Sequence, residues 1–112
     1  MITTVRINRR IDNALNRLAE ETGTTLSDLF IEAVRMAAAD QLDLGAALNA
    51  RKGQEPSEAV RTGYYLAKKD ADVPGLLDQV GGIYHLERAD VARLILEAYI
   101  AHLSGIHPAD RR

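Results

Sequence analysis

The chain has 112 residues, of which 46% are hydrophobic and 4% aromatic, with no cysteine and a formal net charge of −2. That length suits one domain or two very small ones, and the absence of cysteine excludes disulfides and thiolate metal sites. A core poor in aromatics must be built from Leu, Ile, Val and Ala, which favours helices over β-sandwiches. No apolar run reaches the length of a membrane span and no charged-then-apolar leader opens the chain, so a soluble cytoplasmic protein is expected. The negative sum argues against a general nucleic-acid binder, whose affinity comes from phosphate neutralisation. Location outweighs the sum, however: Arg6, Arg9 and Arg10 fall within residues 1–11, which hold no acid.

Residues 3–7, Thr-Thr-Val-Arg-Ile, alternate polar and apolar and are β-branched except for the arginine, which predicts a strand. Val5 and Ile7 share one face; Thr4 and Arg6 share the other. Asn8 is a suitable N-cap for a helix carrying Ile11, Ala14, Leu15 and Leu18 on one side, and Gly23 suits its left-handed C-cap. Thr24 or Thr25 caps the next helix, with Asp28 completing a capping-box pattern after Thr25. Leu26, Leu29, Phe30, Ala33, Val34 and Ala37 form its apolar stripe, which ends near Asp40. One short strand has unpaired edges, and two helices leave too small a core for a free-standing unit. Antiparallel pairing with the strand of a second copy answers both needs.

The segment Thr3 to Ala39 resembles a ribbon-helix-helix unit of the Arc and methionine-repressor type. The resemblance is carried by the strand Thr4-Val5-Arg6-Ile7 and the helix Ile11-x-x-Ala14-Leu15-x-x-Leu18-Ala19-Glu20-Glu21. The break Thr22-Gly23 and the opening Thr24-Thr25-Leu26-Ser27-Asp28-Leu29 complete it. It covers about a third of the chain, and many family members have Pro where this chain has Asn8. The resemblance implies a mainly α fold in which a two-stranded ribbon enters the major groove of double-stranded DNA. It implies base reading by Thr4 and Arg6, the latter able to bridge O6 and N7 of guanine. Backbone contacts are then expected from Asn8, Arg9, Arg10 and the start of the second helix at Thr24, Thr25 and Ser27. The bland alternative makes Arg6 a solvated edge charge that only discourages aggregation.

Residues 1–44 therefore read as the DNA-binding unit, 45–56 as a linker with Gly45, Gly53 and Pro56, and 57–112 as a helical C-terminal region. Residues 57–69 read as a helix begun by Pro56, with a strand around Tyr64-Tyr65-Leu66-Ala67 as the alternative. After Val73-Pro74-Gly75, a short helix with Leu76, Leu77, Val80 and Ile83 is weakened by Gly81-Gly82. Ala89 or Asp90 then opens a stronger helix with Val91, Leu94, Ile95, Ala98, Tyr99 and Leu103 inward, stopping near Ser104-Gly105. A shift of 65 residues sets Leu15 on Val80 and Leu29 on Leu94, so a degenerate second ribbon-helix-helix copy is an alternative reading. That copy would make one chain a pseudo-dimer; without it, a homodimer or higher homo-oligomer is expected, and the tail binds a protein partner such as a toxin or a relaxase.

No nucleophile–base motif, phosphate-binding glycine loop or paired catalytic carboxylates stand out, so no enzyme activity and no cofactor are expected. His85, His102 and His107 read as surface or helix-end residues, with no metal site among them. The expected function is sequence-specific DNA binding as a transcriptional repressor, an antitoxin or a plasmid partition or mobilisation factor. A protein-interaction module that does not bind DNA is the alternative.

Overall fold

A computed structural model describes residues 1–51 and 58–110, with side chains to residue 50 and from 58 to 104. Strand β1 (Ile2–Asn8) leads directly into helices α1 (Arg9–Thr22) and α2 (Leu26–Ala38); α3 (Leu44–Arg51) follows. Strand β2 (Ala59–Tyr65), a single 3₁₀ turn (Lys68–Asp70), α4 (Val73–Tyr84) and α5 (Arg88–Asp110) complete the described chain. The molecule is mainly helical, with a small two-stranded antiparallel sheet. None of the described helices is long and apolar enough to cross a membrane.

The partner strand that β1 needs is supplied by the same chain. β1 and β2 pair antiparallel in a register running from Ile2 opposite Tyr65, through Val5 opposite Thr62, to Asn8 opposite Ala59. This corrects two expectations. The second copy invoked to complete the ribbon is replaced by β2, and the described part of the stretch read as a helix, residues 58–69, forms β2 and the start of the 3₁₀ turn instead. In β2, Val60, Thr62 and Tyr64 turn towards the protein while Ala59, Arg61, Gly63 and Tyr65 turn to solvent. Period-two alternation with β-branched and aromatic residues outweighed the weak helical spacing of the same stretch.

The order strand, helix, helix thus occurs twice, and local geometry sets its internal offset. Gly23 ends α1 with φ 66° and His85 ends α4 with φ 57°, both left-handed. Thr24 N–H donates to Ala19 C=O, and Leu86 N–H donates to Gly81 C=O in the same way. The offset is therefore 62 positions for the helices, and the shift of 65 read from the sequence is one turn out of place. At 62, buried positions coincide: Ile11 with Val73, Leu15 with Leu77, Leu29 with Val91, Ala33 with Ile95 and Ala37 with Tyr99. A Cβ at Gly81 would lie 2.6 Å from the Leu86 carbonyl oxygen, so the closing turn of α4 has no room for a side chain there. At the 65 offset Ile83 would be inward; it is 68% exposed.

The two halves share one core, in which Val5 and Ile7 of β1 and Tyr64 of β2 lie among the buried faces of α2, α4 and α5. Phe30 and Tyr64 stack with centroids 4.6 Å apart and planes at 7°, a pairing worth about 0.5–1.5 kcal/mol beyond area burial. Two further expectations are corrected. α3 fills the first part of the stretch read as a linker, with Leu44 buried and Gly45 inside the helix; residues 52–56 lie outside the described residues. α5 runs past Gly105, because a glycine within a helix costs only about 1 kcal/mol. His85 caps α4, His102 is exposed, and the His107 side chain lies outside the described residues.

A candidate nucleic-acid interface

The helices cover one face of the two-stranded ribbon and leave the other open. Along β1, Val5 and Ile7 are buried while Ile2, Thr4 and Arg6 are exposed. The pleat therefore presents Thr4 and Arg6 outward as expected, since a strand with one buried face has its register fixed. From β2 the outward residues are Ala59, Arg61, Gly63 and Tyr65. Among the described residues, the open face of the ribbon carries no acid.

Arg6 stands directly opposite Arg61. Cross-strand partners have Cβ atoms about 4.5–5.5 Å apart, and like charges so placed repel. Neither arginine forms an ion pair or hydrogen bond among the described residues. Four described arginines do have carboxylate partners: Arg9 with Glu58 at 2.8 Å, Arg88 with Asp78 at 2.5 Å, Arg93 with Asp90 at 3.2 Å, and Arg35 with Asp70 and Asp72 at 2.9 and 2.7 Å. Beside the arginine pair, Gly63 lies opposite Thr4, and the Ile2 side chain fills the space a Cβ there would take, at 3.1 Å. Arg61 is not among the residues expected from the sequence, because its segment also carries helical spacing. The signal that finds it is the alternation Val60, Thr62, Tyr64 against Arg61, Gly63, Tyr65.

The residues expected to touch a nucleic-acid backbone are placed more variously. Asn8 serves as the N-cap of α1, its Oδ1 accepting from Ile11 N–H at 2.8 Å. Arg9 is engaged by Glu58, whose carboxyl it holds below the usual carboxylate value. Arg10 is exposed beside a groove between α1, α3 and α5. At the start of α2, Thr25 Oγ1 accepts from Asp28 N–H at 3.0 Å, and Thr24 Oγ1 donates to the Asp28 carboxylate at 3.4 Å. Ser27 Oγ accepts from Tyr65 N–H at 2.7 Å and so fixes the start of α2 to the end of the ribbon. Helix N-termini attract anions, but Asp28 already answers that field in part. Thr62 Oγ1 donates to Asp12 at 3.1 Å, tying β2 to α1 beneath the open face.

No family model, curated protein or solved structure matches this chain.

Proposed function

We propose that this chain is a single-chain ribbon-helix-helix protein that binds double-stranded DNA by laying the β1–β2 ribbon in the major groove. The observation that carries this reading is the directly opposed pair Arg6 and Arg61, unpaired and on an open face without acid among the described residues. Two adjacent cations cost a free protein some stability, and that cost is offset when an anionic, guanine-presenting ligand sits over them. A two-stranded ribbon matches the width of the major groove, and arginine is the usual bidentate reader of guanine. Thr4 reads a neighbouring base, and the start of α2 with Thr24, Thr25 and Ser27 lies against the flanking phosphates. Asn8 and Arg9 act as scaffold, whereas Arg10 remains available to the backbone. The role that follows is that of a cytoplasmic DNA-binding regulator: a repressor, an antitoxin or a partition or mobilisation factor.

Binding of labelled genomic duplex fragments at about 100 mM salt tests this. The expected result is retained duplex whose affinity falls steeply with added salt, as counterion release requires. Failure to retain any duplex would leave the ribbon as a purely structural element of a protein-interaction module.

A further inference from the structure

We infer that the ribbon reads a directional, non-palindromic duplex as a single chain, with guanine bases under the Arg6–Arg61 pair and thymine methyl groups under Ile2 and Tyr65. This inference rests on the DNA-binding reading above and names the ligand of the same face. Its basis is the asymmetry of the register. Two copies of β1 paired about Val5 would set each Arg6 opposite a Thr4, placing the arginines symmetrically on either side of the axis. In this chain both arginines fall on the same side of the central Val5–Thr62 pair, towards the Asn8–Ala59 end.

The opposite end of the face is apolar. Ile2 and Tyr65 are cross-strand partners, 68% and 60% exposed, and Met1 beside them is 62% exposed. Large apolar side chains left this open on a strand pair call for a ligand surface. In the major groove, the apolar feature of a base pair is the C5-methyl group of thymine, while paired acceptors for arginine belong to guanine. The two ends of one ribbon thus ask for different bases. The α2 start, fixed to Tyr65 through Ser27, borders the apolar end. The equivalent start of α5 has Leu86, Glu87 and Ala89 where α2 has Thr24, Thr25 and Ser27, so the two flanks also differ.

The test is selection of bound duplexes from a pool randomised over about 20 base pairs, using the full chain, with the mass of each complex measured. The expected motif is asymmetric and bound by one chain. R61A should relax the guanine positions by roughly tenfold to a hundredfold in discrimination, and Tyr65→Ala the thymine positions only. A palindromic motif, two chains per site, or the same positions relaxed by both variants would overturn the directional reading while leaving duplex binding intact. No enriched duplex at all would overturn both.

Discussion

Gly23 and His85 hold the same left-handed backbone conformation, each closing the helix that follows its strand. Glycine adopts that conformation without steric cost, whereas a side-chain-bearing residue is strained by roughly 1 kcal/mol. Gly23→Ala should therefore destabilise the fold by about 1 kcal/mol, although nothing lies within 4 Å of the new methyl group. His85→Gly should stabilise it by a similar amount. Urea midpoints of the two variants check the pair, and shifts of the same sign would contradict the equivalence of the two turns.

Arg35 binds the start of the second helix pair to the first. It donates to Asp70, which is only 7% exposed, and bidentately to Asp72 at the head of α4. Replacing Arg35 with Met leaves a buried acceptor without its donor, at a cost of about 1–3 kcal/mol near neutral pH. Arg35 also holds the Asp72 carboxyl below its ordinary value through that hydrogen bond. A folded-state value lowered in this way gives stability that is fully present above the unfolded carboxylate range. It is lost as the pH falls through the folded value. The gap between wild type and Arg35→Met in denaturant midpoint should narrow on acidification below about pH 4; a constant gap from pH 7 to pH 3 would exclude the ion pair as its origin.

Tyr64 is fully buried against Phe30, and its hydroxyl has no hydrogen-bond partner among the described residues. Burial, with Asp12 nearby, pushes its phenol well above the ordinary tyrosine value. Tyr64→Phe removes an unsatisfied polar atom and keeps the ring, so it should stabilise the protein by about 1 kcal/mol. Thermal unfolding of the variant gives the sign directly; a loss of stability would show that the hydroxyl has a partner.

The first 40 residues were legible because each local signal agreed with the next. Alternation fixed the face of β1, Asn8 and Thr25 capped the helices, and Gly23 ended α1. The second half hides the same order under conflicting signals. A five-residue step separates the strand offset from the helix offset, the insertion around Lys68–Asp70 displaces α4 from its strand, and His85 stands where glycine announces a helix end. Arg61 was invisible for the same reason: its role depends on a register that pairs residues 55 positions apart. A local pattern read from one end of the chain does not contain that pairing.

On the proposed reading, Arg6 and Arg61 are held together for a ligand and not for the fold. Arg6→Ala and Arg61→Ala, singly and combined, should raise or preserve the urea midpoint, because each relieves a like-charge contact worth a few tenths of a kcal/mol. The same changes should weaken duplex DNA binding by about 1–3 kcal/mol each if the contacts to guanine are bidentate. Anisotropy titration of the double variant against a selected duplex, beside its unfolding curve, reads both effects in one preparation. Lost affinity with undiminished stability is the predicted result; unchanged affinity, or lost stability that accounts for the lost affinity, would contradict it.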